Sequence, residues 1–578
     1  MSPKVVILGG GVAGMSAAHE LIERGFAVEV YEKKPDYVGG KARSVNVPGS
    51  ASGGRLPLPG EHGFRFFPGF YRHITDTMKR IPFKNPKTGK ANKRGVFDNL
   101  VQSNKMMMAR FDQAPIIALS KFPTSLADLE VVYDDIFKTH TGLKPGESKL
   151  MAHKLWQLMT SCKTRRLDDY ESIGWWEFTE ADDHSDAYKS LFVNGLTRTL
   201  VAAKARKAST KTGGDILIQL VFDLLNPEVQ VDRVLNGPTN DVWLNPWYDY
   251  LQQRGVYYEK GQQVVEFLCD KKTITGVVVE DADGNRKTVQ GDYYISAMPV
   301  EAMAPLVNQN MLYKDACLEN ISTLANNVDW MNGIQFYLSD QVDIIDGHII
   351  CVDTPWALTA ISQLQFWGDF EVSGYGDGTV KTVLSVDVSD WETPGILYGK
   401  TAQQCTFSEI KDEVWAQLKK SFNVEGKVLL HDERLVTYYI DSDIVEKNGV
   451  TFQNTEKLLV NLTNTWDLRP NSYTEIPNLF LASDYVKTFT DLASMEGANE
   501  AARRAVNNIV KRSGSNAPLC TLWDLHEPFL LLPFRLFDKI RYRKGLRWHS
   551  DVPKTVQTVA SANAFFQKMK VVVKRPFL

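Results

Sequence analysis

Residues 5–14 read Val5-Val6-Ile7-Leu8-Gly9-Gly10-Gly11-Val12-Ala13-Gly14, and residues 28–32 read Val28-Glu29-Val30-Tyr31-Glu32. A β-branched apolar run leads straight into Gly9-x-Gly11-x-x-Gly14. Helix-favouring residues from Met15 to Ile22 follow, and Gly25 ends them as a C′ glycine does. A second strand over 26–31 then delivers the Glu32 carboxylate. Strand, tight turn, helix, strand and acid, in that order, predict a dinucleotide site of the doubly wound type. Gly9 makes the turn, Gly11 lets a pyrophosphate approach the backbone, and Gly14 lets the helix pack on the strand. Val12 and Ala13 open the helix, whose N–H groups and positive dipole end favour phosphate. Glu32, with Lys33 beside it, lies about twenty residues on, where an acid accepts ribose hydroxyls. This stretch alone does not choose between NAD and FAD.

The next segments extend the same site. Gly39-Gly40-Lys41-Ala42-Arg43-Ser44 places two cations after two glycines, as a loop does when it passes the pyrophosphate from its other side. Residues 50–60 are a loop. Glu61-His62-Gly63-Phe64-Arg65-Phe66-Phe67-Pro68-Gly69-Phe70-Tyr71-Arg72-His73 fits neither a regular helix nor a regular strand. Its aromatics and glycines suit a shaped apolar wall that a flat ligand approaches closely, or the packing of two domains.

The chain has 578 residues, enough for two intertwined domains or more. Its net charge of −3 gives no reason to expect nucleic acid. The six cysteines are scattered with no CxxC pair, which argues against a disulfide framework or zinc site, and no metal is expected. Met1-Ser2-Pro3-Lys4 runs directly into the first strand and no apolar run approaches a membrane span. The expected location is the cytoplasm, with contact at a membrane surface as an option.

Residues 111–240 read mainly as helices, with helical spacing over 150–160 and 188–204. Short basic runs at Arg165-Arg166 and 204–207 suit solvated faces, and Trp175-Trp176 suits core or cavity lining. A helix over 246–253 ends near Gly255. Strands over 256–258, 264–268, 274–280 and 286–289 follow, with an Asp283-Gly284 turn, as a β-meander. A buried strand over 292–298 closes it. Residues 311–470 mix strands and helices without a chemical motif. A short strand over 479–482 ends in Ser483-Asp484.

After it come Tyr485-Val486-Lys487 and Leu492-Ala493-Ser494-Met495-Glu496-Gly497-Ala498, opening a helix through Val510. Together with Gly9 to Gly14, Gly39 to Ser44 and Glu61 to Tyr71, this resembles the FAD-dependent amine oxidase and phytoene desaturase superfamily. Plant and cyanobacterial carotene desaturases and hydroxysqualene dehydroxylase-like proteins are the nearest in look. The resemblance covers roughly residues 1–510.

It implies an α/β fold: a Rossmann-like, three-layer FAD-binding domain with a β-meander, interleaved with an α+β substrate domain. The expected partition is 1–110, 241–310 and 471–512 for FAD, 111–240 and 311–470 for substrate, and 513–578 for an amphipathic tail. Residue by residue, Gly9, Gly11 and Gly14 would hold the pyrophosphate of non-covalently bound FAD, and Glu32 the adenosine ribose. Gly40, Lys41 and Arg43 would flank the phosphates, and the Val265 backbone would meet the adenine. Gly63, Phe64 and Arg65 would face the flavin, Asp484 its ribityl or phosphate region. Met495, with Ala498 one turn on, would present its N–H near the flavin O2. Two departures stand out: Ser483 replaces a usual Gly, and Arg65 stands where plant-type desaturases have His. Neither a covalent-flavin cysteine motif nor the aromatic-cage sequence of amine oxidases is present.

The implied activity is flavin hydride transfer, to or from an otherwise unactivated carbon of a long apolar isoprenoid, a carotenoid or squalene derivative. Arg65 and His62 are the candidate catalytic groups, and a quinone or oxygen the electron acceptor. Other readings are an amine oxidase, a redox-neutral double-bond isomerase, or a lipid-carrying escort that does not use flavin. In the tail, residues 511–516 read as a linker. Residues 528–548 interleave aliphatic and aromatic residues with Arg and Lys, so 517–548 suit either an interfacial membrane contact or docking on the protein's own surface.

Overall fold

A computed structural model describes residues 2–103, 105–118, 141–195, 205–224, 232–368, 370–447 and 451–561. Strand Lys4–Leu8 lies at the centre of a five-stranded parallel sheet. Ala27–Glu32 and then Tyr257–Lys260 flank it on one side, Tyr293–Ser296 and then Leu479–Leu481 on the other. Strand period decides what each face meets. Val5 and Ile7 pack with Met15, Ala18 and Leu21 of helix Val12–Ile22 and with Ala502 and Val506 of helix Met495–Arg512. Val6 and Leu8 point the other way, onto Val264, Val277 and Val279 of the meander. All four strand side chains are fully buried, each contributing about 1.5–3 kcal/mol of transfer free energy as an upper bound. Helices, sheet and meander make the three expected layers, the meander being Gln263–Cys269, Ile274–Glu280 and Arg286–Val289 paired antiparallel.

The second body is built on a seven-stranded sheet in the order Leu435–Ile440, Asn332–Leu338, Thr382–Val388, Leu358–Ser362, Gly347–Cys351, Lys105–Arg110 and Gln113–Ala118. Helix Phe407–Phe422 covers one face through Val414, Leu418 and Phe422. Its Thr406 and Glu409 form a reciprocal capping box.

The structure redraws two boundaries. Strand Lys105–Arg110 pairs in parallel with Gly347–Cys351, so the substrate sheet begins before residue 111. Residues 111–240 are not purely helical: Gln113–Ala118 is a strand, and Arg233–Leu235 pairs with Phe66–Phe67 and Leu100–Gln102. The expected helix over 188–204 is described only through its first turns, 186–194. Its residues 196–204 lie outside the described residues, as do 562–578 of the tail.

Residues 511 and 512 end helix Met495–Arg512, so the expected linker narrows to 513–516, and the chain beyond it is tied down. Cys520 and Trp523 donate backbone N–H groups to Asn507 (2.6 Å) and His73 (3.0 Å), and helix Leu532–Arg543 docks on helices Glu147–Thr160 and Lys163–Asp168. Among the described residues, no helix is long and apolar enough to cross a membrane.

Candidate active site

The glycine turn at the end of the first strand is held by sterics at atomic contact. A Cβ on Gly14 would come within 1.9 Å of the Gly9 carbonyl oxygen. Gly9 itself sits at φ +105°, a left-handed conformation that side chains resist. Across from it, Gly39 donates to the Gly10 carbonyl (3.2 Å), and a Cβ on Gly40 would stand 3.1 Å from the Gly11 Cα. Two bare backbones thus face each other at the mouth of a cavity of about 620 Å³. That is a cradle a side chain at either glycine would fill, and it fits a pyrophosphate.

The remaining cradle residues agree with the fit. Gly9, Gly11, Val12, Ala13, Glu32, Lys33, Gly40 and Lys41 all line this cavity. Glu32 accepts from the Gly10 N–H (2.6 Å) and the Lys34 N–H (2.8 Å). These bonds aim the carboxylate while leaving lone pairs for ribose hydroxyls. Burial pushes the Glu32 carboxyl up, and the two backbone donors counter it. Burial works against the Lys41 charge, yet Glu301, Asp484 and Glu456 together hold its ammonium above the ordinary range. An anion arriving beside Lys41 therefore meets a protonated donor.

From the far end of the sequence, Ser483, Asp484, Met495 and Ala498 line the same cavity. Ser483 keeps a negative φ, so the turn before Asp484 does not need the glycine usual there. Ser494 caps helix Met495–Arg512 by accepting from the Gly497 N–H (3.1 Å), and Met495 opens the helix. Glu496 points back to the first jaw. Its carboxylate accepts the backbone N–H groups of Arg72 and His73 (2.8 Å each) and Ile74 (3.0 Å), with His73 Nδ1 at 2.7 Å. Asn499 donates to Ser16 Oγ (2.7 Å) on the first helix. The Met-Glu-Gly-Ala motif therefore joins the two ends of the chain as well as facing the ligand.

Three expected cofactor residues sit elsewhere. Gly14 is under the turn, acting through packing alone. Arg43 turns away from the cavity: it is 2% exposed and pairs with Asp443 Oδ2 (2.7 Å). The reason is the pair of acids at 441 and 443, whose charges a buried guanidinium must meet. Val265 is displaced by a β-bulge between Val264 and Glu266, so Val264, not Val265, reaches the cavity.

The wall over His62–Tyr71 is where the cavity changes character. His62, Gly63, Phe64, Arg65, Phe66, Pro68, Phe70 and Tyr71 all line it, and Ile216, Leu220 and Leu492 continue its apolar surface. His62 Nδ1 lies 2.6 Å from Asp441 Oδ2 and 3.4 Å from Asp443 Oδ2. Burial lowers the His62 pKa, but the two carboxylates outweigh it and hold the imidazole protonated above its ordinary range. These three residues could converge on a metal ion. Arg43 and Lys34 already occupy the Asp443 carboxylate (2.7 Å each), so the charge is balanced by side chains.

Sequence reading missed Asp387. It is the penultimate residue of strand Thr382–Val388, paired with Gly333 and Thr359, and lines the cavity. It is 5% exposed, and its Oδ1 has no hydrogen-bond partner among the described residues. Burial pushes its carboxyl up to about 7, with Arg65 and His62 opposing. A Cβ on Gly63 would stand 2.7 Å from that same Oδ1, so only glycine there leaves the carboxyl room. Arg65 donates to the Gly63 carbonyl through Nε (3.0 Å) and Nη2 (2.5 Å), and sits in the field of Asp387 and Glu61. Glu61 accepts from Thr239 N–H and Oγ1 (3.0 and 2.8 Å), and burial pushes it up to about 7 as well. The one available signal was an acid between Val386 and Val388 in an otherwise buried strand. His348, held neutral by burial at about 4 and packed on Phe64 and Phe66, was missed too.

A family model for flavin-containing amine oxidoreductases matches residues 12–510. The chain belongs to that family. It is an FAD-dependent oxidoreductase, and the glycine cradle, Glu32 and the Asp484–Met495 jaw are the parts that fit FAD. A ζ-carotene desaturase of Synechocystis sp. is 24% identical over 534 residues, covering 88% of this chain and 97% of its own. The chloroplastic and chromoplastic ζ-carotene desaturase of Arabidopsis thaliana is 22% identical, over 88% and 85%. Cyclohexylamine oxidase from Brevibacterium oxydans superposes with a TM-score of 0.56 over 89% of this chain and 100% of that one. At 12% identity that likeness speaks for the fold alone. The parallel sheet with its meander and the separate antiparallel-rich sheet agree with it.

Proposed function

We propose that this enzyme desaturates a long apolar isoprenoid of the carotenoid or squalene-derived type. The observation that carries the reading is the wall from Phe64 to Tyr71, continued by Ile216, Leu220 and Leu492, which shares one cavity with the FAD cradle. Similarity to ζ-carotene desaturases over most of the chain supports it.

Bound FAD supplies the hydride acceptor. The apolar wall binds and orients the substrate and excludes water from the reacting carbons. Removing a hydride from one carbon requires loss of a proton from its neighbour if a double bond is to form. Asp387 is placed to take that proton, as a buried carboxyl with one unpartnered oxygen, poised near neutral pH. Arg65, fixed by the Gly63 carbonyl, steadies the carboxylate as it releases and regains the proton. His62 is bound into the Asp441–Asp443 pair and serves to position the wall. A quinone or oxygen would serve as the final electron acceptor.

The test is anaerobic mixing of the yellow holoenzyme with carotenoid, squalene-type, fatty-acid and amine panels, watching the oxidised flavin absorbance. Bleaching by polyene or polyprenoid substrates alone is the expected result. Bleaching confined to amines would overturn the proposal.

A further inference from the structure

Helix Leu532–Arg543 packs Pro533 and Phe534 on the protein, yet it also turns two charges inward and an aliphatic stripe outward. Arg535 and Asp538 face inward and are 6% and 2% exposed. Asp538 accepts from the Cys162 N–H (2.8 Å) and from Arg165 Nε (3.0 Å), while Arg535 donates to the Met159 carbonyl (3.1 Å) and pairs with Glu527 (3.2 Å). Leu532, Leu536 and Ile540, each four residues apart, face outward at 37%, 52% and 54% exposure. Leu546 follows the turn at Gly545 and is 45% exposed. A helix facing water turns its charges out and its leucines in. Here the protein has given the inward charges specific partners, with only Arg535 Nη2 left without one among the described residues, and left the aliphatic stripe outside.

The stripe is ringed by cations. Lys539, Arg543, Lys544 and Arg547 are exposed around it. The acids beneath are already engaged, Asp168 by the Tyr542 hydroxyl and Asp169 by Arg165 (2.8 Å). An aliphatic stripe with cations at its margin is complementary to one kind of surface, acyl chains beneath anionic headgroups.

We propose that the face of helix Leu532–Arg543, with Leu546, docks on the headgroup region of an anionic lipid bilayer. The placement has a purpose if the substrate is the apolar one proposed above, a reading on which this purpose rests. The strap before the docking helix grips the cavity wall: His526 and Gln219 exchange two hydrogen bonds (2.9 and 3.0 Å). Gln219 belongs to helix Thr210–Leu224, which sets Ile216 and Leu220 into the cavity. Docking face and cavity wall are thereby one mechanical unit, and a bilayer on the first lies beside the elements that form the second.

The test uses the FAD-loaded full chain, because deleting the tail would take Asp538 from the buried Arg165 and Glu527 from the buried Arg166. Flotation is measured with phosphatidylcholine vesicles and with vesicles containing phosphatidylglycerol. The wild type is expected to float with the anionic vesicles. A Leu536→Asp, Ile540→Asp double variant is expected to lose at least about tenfold of that binding, with flavin absorbance and melting temperature unchanged, since both side chains are exposed. Lys539→Glu with Arg543→Glu is expected to abolish the preference for phosphatidylglycerol. Failure of the wild type to float, or equal flotation by the aspartate variant, would overturn the proposal. So would light scattering that shows a wild-type dimer which the aspartate variant dissociates, because a second copy would then cover the stripe. No substrate is present in this assay, so its outcome is independent of whether the isoprenoid reading holds.

Discussion

The two ends of the cavity are built by different means. The cradle end is short-range: Gly9, Gly11, Gly14 and Glu32 come from one βαβ unit, and their geometry follows from turn sterics and strand period. The wall end is long-range: Asp387, Arg65, His62, His348 and Leu220 come from a loop, two strands of another sheet and a helix. The cradle tolerates almost no change in backbone. The wall depends on burial and on charges that meet only in the fold, so its chemistry is tunable.

Breaking the cradle should have the largest effect. Gly14→Val would drive side-chain atoms into the Gly9 carbonyl, 1.9 Å from even a Cβ. The expected product is colourless and unstable, read as loss of flavin absorbance after purification. At the wall, Asp387→Asn is expected to keep FAD and lower turnover by roughly 10²–10⁴-fold, the ordinary worth of a positioned proton acceptor. A variant that kept full turnover would remove Asp387 from the chemistry.

Arg43→Met separates cradle from wall in a third way. It leaves Asp441 and Asp443 short of a buried partner, which costs about 3–5 kcal/mol for a buried pair. The expected readout is a lower melting temperature with FAD affinity much less affected, because Arg43 does not reach the cavity. A loss confined to FAD binding would restore Arg43 to the phosphate site.

The pH dependence sharpens the contrast further. The folded chain holds the Asp387 proton up to about 7, whereas an unfolded chain releases it near 4. Between those values the native state binds more protons, so this group's contribution to stability falls as pH rises. Melting temperature against pH should therefore flatten between about 4 and 7 in Asp387→Asn. Turnover of the wild type should rise through about 7 as the carboxylate forms, and that limb should be missing in the variant. Smallest of all, Ser483→Gly should leave FAD binding intact and change stability by about 1 kcal/mol or less, because Ser483 is unstrained.

What was legible in the residues tracks the same divide. The cradle and the meander could be read because their information is local: spacing, turn residues and hydrophobic period; the Met495 jaw was read only through the family resemblance of its motif. Val265 was off by one because a bulge, invisible in the sequence, shifts the strand's pairing. Arg43 was misread because the acids that capture it lie 400 residues away. Lys105–Arg110 was assigned to the wrong body because its parallel partner is Gly347–Cys351. Asp387 carried a signal, a carboxylate in a strand of valines, but only the fold says which cavity it meets. The tail's alternation of aliphatic and basic residues was plain, while the choice of inward and outward face waited on Cys162 and Arg165.

The Glu496 carboxylate has a consequence for how the protein comes to be made. It supplies acceptors to the first turn of helix His73–Arg80 from more than 400 residues downstream. The last strand of the parallel sheet, Leu479–Leu481, also arrives at that stage. A chain emerging from the ribosome thus displays its nucleotide motif at the very start of synthesis yet cannot close the cleft until nearly all of it has been released. A chain ending before residue 479 would therefore lack both the fifth strand of the sheet and the acceptors that hold the start of helix His73–Arg80.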